Sequence, residues 1–520
     1  MRALSRRQIL VGTLGIGGFV ITGQKLLQRG DSSPASVNQI SPLKIDGMPI
    51  SQRTGTLIDW KQRAEAAYSL LFDFTAKGSN LPVIWNDTER LNYPFDMFAL
   101  PAYLGDYRQN PGKIGSHESL SGIGAVLGAT LSGLNMSNYQ HRNYVHELLG
   151  YHQKNGVAKV LFNQTHESGS ESSFWYIIYP NLSFYAVMSM YPDDLEYLAV
   201  MRQIADQFLE MLSHLHKITG ELSFEFMGYN FLTKEGIYGS WQEPDSAAGI
   251  AWILYMAYCK FGDKKYLDGA KVAMDYLQKL TDEENPFYEV LLGYGVIVAA
   301  RMNVEAGTEY DVTKFLNWIF DGFSSVRAGW GIVSDLWGSV EVHGLQGSTT
   351  NSGGYAFAFN TYNMIAALAP LPIYAPEYRD AIAKWLYNTA VSARIFYPDQ
   401  LPKENQSQPE LIGQFENALA YEGVRKEWAF TFPYATADSR RMTWASTDIG
   451  IYGSAFVGVL SGLIHSVQSN GVVVFDISKT DFFSSAKIKT ILAYNPMETA
   501  QIFRGTSIEP GKALMSTSRT

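Results

Sequence analysis

From residue 57 onward the chain alternates between two kinds of helical pattern, and no other feature restricts its fold as strongly. Segments 57–75, 138–151, 193–216, 263–280, 311–320 and 376–391 carry an apolar stripe with Lys, Glu, Asp, Gln or Arg on the other face. That pattern marks a helix with one wet side. Segments 118–134, 175–190, 245–258, 287–300, 355–369 and 448–465 are apolar nearly all round and rich in Gly, Ala and Ser. A helix without a polar face must be buried on every side, and its small residues let neighbouring backbones approach closely. The two kinds alternate strictly, six of each. Six antiparallel hairpins of one outer and one inner helix close into a ring whose inner helices run parallel. An α-solenoid or two stacked bundles would compete. The uneven spacing, with long Gly- and Pro-rich stretches at 76–115, 217–244, 322–354 and 396–447, disfavours a solenoid repeat. An all-α ring over 57–468 is the expectation. After Gly471 the pattern turns to β-type runs (Val472 to Phe475, Thr490 to Tyr494) with an Asn495-Pro496 turn signal. So 469–520 reads as a short β-rich appendage, frayed after Gly511.

The N-terminus reads as an export signal over 1–30, followed by a linker over 31–56. Arg2, Arg6 and Arg7 precede an apolar, glycine-rich stretch from Ile9 to Thr22, too short for the ~20 residues of a comfortable membrane span. Ser5-Arg6-Arg7-Gln8-Ile9-Leu10 resembles the bacterial twin-arginine motif, which implies a periplasmic or extracellular protein. Without a clean A-x-A site, an uncleaved N-terminal anchor stays open. Residues 1–29 hold five cations (Arg2, Arg6, Arg7, Lys25, Arg29) and no acid. Their removal would take the net charge from -9 to -14. An acidic surface repels phosphate backbones and anionic lipid, which argues against nucleic-acid and membrane-surface partners. Cys259 is the only cysteine, so no intrachain disulfide forms, and its apolar surroundings predict a buried, inert thiol. With 11 Trp, 31 Tyr and 28 Phe, the chain can fill a rich core and also supply platforms for sugar rings.

Parallel inner helices would bring their N-termini, with unpaired N–H groups and positive dipole ends, to one end of the ring. Polar and aromatic residues do gather just ahead of these helices. Ser116-His117-Glu118-Ser119 precedes the first, and Ser172-Ser173-Phe174-Trp175-Tyr176 the second. Ser240-Trp241-Gln242-Glu243-Pro244-Asp245 precedes the third, and Asn285-Pro286-Phe287-Tyr288-Glu289 opens the fourth. Trp337, His343, Asn351 and Tyr355 stand before the fifth; Tyr421, Glu422, Trp444 and Asp448 stand before the sixth. Capping explains the Ser, Thr, Asp, Asn and Pro. It does not explain a Trp or Tyr at nearly every start.

Among these residues Glu243 is the least explicable as a cap, because Gln-Glu-Pro beside a tryptophan is an odd capping sequence. Asp245 and Asp448 are equally well explained by capping. Glu118 and Glu289 lie at the start of inner helices, where a buried carboxylate needs a partner or a task. His117 and His343 could bind substrate or serve plain hydrogen bonding.

This pattern resembles the six-hairpin glycosidases, the (α/α)6 toroids, over residues 57–465. The likeness is carried by the alternation, by Ser240-Trp241-Gln242-Glu243-Pro244-Asp245-Ser246-Ala247-Ala248-Gly249, by Gly353-Gly354-Tyr355-Ala356-Phe357 and by Ala420-Tyr421-Glu422-Gly423. It implies a carbohydrate-active enzyme, commonly an inverting hydrolase with one protonated acid and one ionised base ~6.5–9.5 Å apart. Carboxylates from different hairpins can meet that spacing across a ring mouth. Glu243 and Glu422 are the expected pair, with Asp245 in reserve. Trp241, Trp175, Tyr176, His117, Glu118, Glu289, Trp337, His343, Asn351, Tyr355, Tyr421 and Asp448 are the expected substrate contacts. A polysaccharide lyase is the main alternative, with His117, Tyr176, Asn351, Tyr355 and Arg425 as its working set. An epimerase or a non-catalytic glycan-binding toroid follows. No phosphate loop, serine elbow or zinc helix occurs, and no metal or cofactor is expected.

Overall fold

Hydrogen bonding at helix starts distinguishes five of the six outer helices from the inner ones. The computed structural model describes residues 37–51, 56–108, 117–170, 172–350, 354–415, 417–485 and 488–519, so the export signal and Asn351 lie outside the described residues. In chain order the ring comprises outer α1 (Trp60–Leu71), inner α2 (Ser119–Leu131), outer α3 (Tyr144–Glu147), inner α4 (Phe174–Met188) and outer α5 (Leu195–Thr219). Inner α6 (Ser246–Phe261), outer α7 (Lys264–Lys279), inner α8 (Leu291–Glu305) and outer α9 (Val312–Phe320) follow. Inner α10 (Ala358–Leu368), outer α11 (Arg379–Ser392) and an inner pair, α12 (Ile451–Ala455) and α13 (Gly458–Leu463), complete it. Five outer helices are capped by their own Asp or Asn: Asp59, Asn143, Asp194, Asp263 and Asp311 each accept an N–H of the first turn. No inner helix has a side-chain cap of this kind. Their free N–H groups look to neighbouring hairpins instead.

The inner helices pack in sequence, α2 on α4, α4 on α6, α6 on α8, α8 on α10, α10 on α12, and α12 back on α2. The ring therefore closes, and the fold is an (α/α)6 toroid. Small residues set its tightness. A Cβ on Gly128 of α2 would stand 2.4 Å from the Ala455 carbonyl oxygen, and one on Gly249 of α6 would stand 2.5 Å from Ile178 of α4. The axis is solid. Trp175 stacks on Tyr179 at 4.9 Å, and Phe359 meets Trp175, Tyr179, Tyr452 and Phe456 edge-on at 5.2–5.8 Å between ring centres. Buried aromatic pairs of this geometry add ~0.5–1.5 kcal/mol each beyond their burial.

The long stretches ahead of the last inner helices are not plain loops. Five short strands, β1 (Trp330–Ile332), β2 (Gln346–Ser348), β3 (Tyr355–Phe357), β4 (Gly423–Arg425) and β5 (Tyr434–Thr436), form an antiparallel meander in spatial order 5-4-3-2-1. β3 runs straight into α10. The C-terminal appendage is a second meander, β6 (Ile464–Val467), β7 (Val473–Asp476), β8 (Ile488–Tyr494) and β9 (Ala513–Arg519). The expected frayed tail is corrected here: β9 pairs with β8 over seven residues, from Ile488 opposite Arg519 to Tyr494 opposite Ala513. α11 packs against β8 and β9. Arg301 of α8 reaches Asp481 at 3.6 Å and donates to the Phe482 carbonyl at 2.8 Å, joining the appendage to the ring. Among the described residues no helix is long and apolar enough to cross a membrane.

Candidate active site

All six inner-helix starts contribute to one cavity of about 290 Å³. α2 supplies Glu118 and Leu120, α4 Ser173, Trp175 and Tyr176, and the turn before α6 Trp241 and Glu243. α8 supplies Tyr288 and Glu289, α10 Phe357 and Phe359, and α12 Tyr452, while Ala102, Tyr103, Arg108 and Trp444 complete the wall. The inner helices thus begin at a common end. A larger cavity, about 610 Å³, lies where α2 and α13 finish beside the appendage. Among the described residues its wall, with Lys61, Ser132, His465, Asp476 and Lys479, has neither Trp, Tyr nor Phe. Chemistry, rather than size, selects the first cavity.

Glu243 is 1% exposed. Its Oε2 accepts the N–H of Trp175 at 2.7 Å, and its Oε1 accepts the indole N–H of Trp241 at 2.7 Å. Burial pushes its pKa up to about 8, with the nearby charges of Asp245 and Glu289 adding to the rise and the two N–H donors opposing it. Its environment therefore favours the neutral, protonated form. Asp245 is also buried and does not cap its own helix. Its Oδ2 accepts the N–H of Tyr288 at 3.3 Å. Burial raises its pKa to about 7, against the N–H groups of Tyr288, Glu289 and Leu292. It does not line the cavity; it supports the start of α8.

Glu422 sits across the ring from Glu243, behind the wall. Its Oε1 accepts from the hydroxyls of Tyr103 and Tyr452, the latter at 2.7 Å, and its Oε2 accepts from Tyr355 at 3.0 Å and the Asp438 N–H at 3.3 Å. Burial raises its pKa while these four donors pull it down. Three extended segments place it: 102–104 pairs with 449–451 (Leu104 N–H to Ile449 carbonyl, 3.1 Å), which pairs with 420–422 (Glu422 N–H to Asp448 carbonyl, 3.1 Å). Gly423 is required here, because a Cβ would stand 2.6 Å from the Tyr355 hydroxyl.

Glu118 and Glu289 line the cavity directly. Glu289 pairs with Arg327 and accepts from Asn360 at 3.1 Å. Among the described residues Arg108 is the one cation in the wall. Asp106, buried beneath it, takes its Nε and Nη2 donors at 3.0 and 2.8 Å, and its guanidinium lies 5.0 Å over Trp444.

The structure brings Trp175, Tyr176, Trp241, Glu118, Glu243 and Glu289 together. It moves other expected contacts away from the cavity. Both ring nitrogens of buried His117 are occupied, Nδ1 with the Tyr151 hydroxyl and Nε2 with Asp87, each at 2.7 Å. Buried His343 bonds Ser334 at 3.2 Å. Trp337 is buried against Gly354. The Tyr421 hydroxyl accepts the Gln408 N–H at 3.2 Å. Asp448 ties down loop residues by accepting from Ser407 at 2.5 Å and Ser439 at 3.1 Å. Tyr355 reaches Glu422 rather than the cavity, and Arg425 pairs with Asp438 at 2.6 Å. Of the expected lyase set, His117, Tyr355 and Arg425 are thus engaged elsewhere, Tyr176 lines the cavity, and Asn351 lies outside the described residues. Tyr103, Arg108, Tyr288, Phe357, Phe359 and Tyr452 were not anticipated as cavity residues. Only Tyr288 carried a usable signal, its place beside Glu289. No group of three or more His, Cys, Asp or Glu among the described residues could hold a metal ion.

No family model and no curated protein sequence matches the chain. Solved structures do resemble it. A family 76 glycoside hydrolase from a bovine Bacteroides thetaiotaomicron strain shares 11% identity over 78% of this chain and 77% of its own, at a TM-score of 0.42. A mutant unsaturated glucuronyl hydrolase from Streptococcus agalactiae shares 12% over 82% of this chain and 96% of its own, at 0.43. At such values the fold assignment rests on the closure of the ring itself.

Proposed function

We propose that the protein is a glycoside hydrolase, with Glu243 as the acid that protonates the departing glycosidic oxygen and the base supplied from the opposite wall. One observation carries this reading: a carboxyl buried enough to stay protonated at neutral pH opens onto an aromatic cavity that also holds carboxylates. An acid with a pKa near the working pH donates its proton effectively and recovers it readily. Trp175, Tyr176, Trp241, Tyr288 and Trp444 offer flat apolar faces for the sugar rings, and Glu118 and Glu289 accept from sugar hydroxyls. Glu422, diametrically opposite Glu243 in the order of hairpins, is the proposed partner in an inverting displacement. The export expectation from the N-terminus gives such an enzyme access to extracellular glycans.

The test is a polysaccharide panel scored for new reducing ends and for absorbance near 232 nm, which only lyase products show. On the glycan selected, Glu243→Gln is expected to lower turnover by ~10²–10⁴. An aryl glycoside with a good leaving group should restore much of that loss, because such a group departs without a proton. Activity of Glu243→Gln within tenfold of wild type on the unactivated glycan would remove the assignment.

A further inference from the structure

Glu422 does not line the cavity, yet two tyrosines whose hydroxyls bond to it do. Tyr103 and Tyr452 line the wall, both donate to Glu422 Oε1, and their oxygens lie 2.9 Å apart. A carboxylate can only accept, so each tyrosine must point its hydrogen backward. What each hydroxyl has left to offer a cavity ligand is oxygen lone pairs. The wall opposite Glu243 is thereby made an acceptor surface by a charge standing behind it.

We propose that Tyr103 and Tyr452 form a proton relay that connects the attacking water to Glu422. As the water oxygen bonds to the anomeric carbon and the glycosidic C–O bond breaks, one water proton moves to a tyrosine oxygen. The tyrosine's own proton moves to Glu422, and the proton of Glu243 goes to the leaving oxygen. The sum is one water added, Glu422 protonated and Glu243 ionised; exchange with solvent restores both. No tyrosinate forms, which suits hydroxyls whose ionisation burial and the Glu422 charge strongly oppose. The tyrosines are the groups that touch the reactants, and Glu422 positions them and receives the proton. The other charged groups near this cluster are Arg108, 5.9 Å over the ring of Tyr103, Arg425, on the ring of Tyr355, then Asp438 and Glu118. This inference rests on the glycosidase reading and assigns its base.

The experiment compares Glu422→Gln, Tyr103→Phe/Tyr452→Phe, Glu118→Gln and Glu243→Gln on the glycan that the panel selects, each checked by melting temperature. Glu422→Gln and the double tyrosine variant should each lose at least ~100-fold in kcat with KM within about threefold. Both should lose the acid limb of the kcat/KM profile. The dependence of kcat on deuterium fraction should be bowed in wild type, where two protons move, and straighter in the double variant. A good leaving group should rescue Glu243→Gln but neither of these. A double tyrosine variant within fivefold of wild type beside an inactive Glu243→Gln would overturn the relay alone. Loss of the acid limb in Glu118→Gln instead would move the base to Glu118 and equally overturn it. An active Glu243→Gln would remove the parent reading, and the relay with it.

Discussion

Glu243 and Asp245, two residues apart, secure helices on opposite sides of their own hairpin. Glu243 accepts the Trp175 N–H at the start of α4, and Asp245 accepts the Tyr288 N–H ahead of α8. Three consecutive hairpins are thus held in register at the mouth by two buried carboxyls, and both carboxyls have raised pKa values.

Those raised values set the sign of a pH effect on stability. Unfolded, the two groups titrate near ~4; folded, near 8 and 7. Between these limits the native state binds more protons than the unfolded state. Their contribution is therefore complete below about pH 4 and is lost as pH rises through 7 to 8. Urea unfolding at pH 5 and pH 8 should show that loss, and Glu243→Gln/Asp245→Asn should reduce it by about 2 kcal/mol or more. An unchanged difference between the two pH values would count against the burial of these acids.

Trp241→Phe removes the indole donor that favours ionised Glu243. The alkaline limb of the rate profile, expected near pH 8, should move upward by less than about one unit. Trp241 is 42% exposed, so the melting temperature should hardly change, whereas Trp241→Ala should raise KM. A limb that moves downward would contradict the hydrogen bond.

His117→Asn tests a structural role. Asp87 would lose a buried partner, at a cost of about 2–4 kcal/mol. KM should stay within twofold of wild type, because His117 is not in the cavity wall. A large rise in KM without loss of stability would return it to the substrate contacts.

Ending the chain at Gly511 removes β9 and its seven-residue pairing with β8. At ~0.5–1.5 kcal/mol net for each hydrogen bond, the loss should be about 3 kcal/mol or more, with faster proteolysis of the appendage. Unaltered stability would mean that the strand contributes little despite its pairing.

The ring was legible because its signal is long-range and redundant: six all-apolar segments cannot be buried except inside six amphipathic ones. Glu243, Glu118, Glu289, Trp175, Tyr176 and Trp241 were legible because each stands next to such a segment. Tyr103 and Arg108 were not, since backbone pairing of their stretch with 449–451 and 444–445 brings them to the mouth from a segment with no periodic neighbour. Tyr452 was hidden for another reason. The last inner helix starts only at Ile451, so a tyrosine that the apolar run from 448 puts inside the core stands in a first turn at the wall. Three-residue strands such as β3 and β4 carry no period to detect. His343 and Asp448 misled because a loop must satisfy its own buried polar groups, and a residue satisfying them looks, in sequence, like one awaiting a ligand.

The aromatic stack formed by Trp175, Tyr179, Phe359 and Phe456 closes the axis of the ring below the cavity. Trp175 and Phe359 belong both to that stack and to the cavity lining, so a ligand that goes deep meets a floor of aromatic rings where a plain tunnel would have let it slide through.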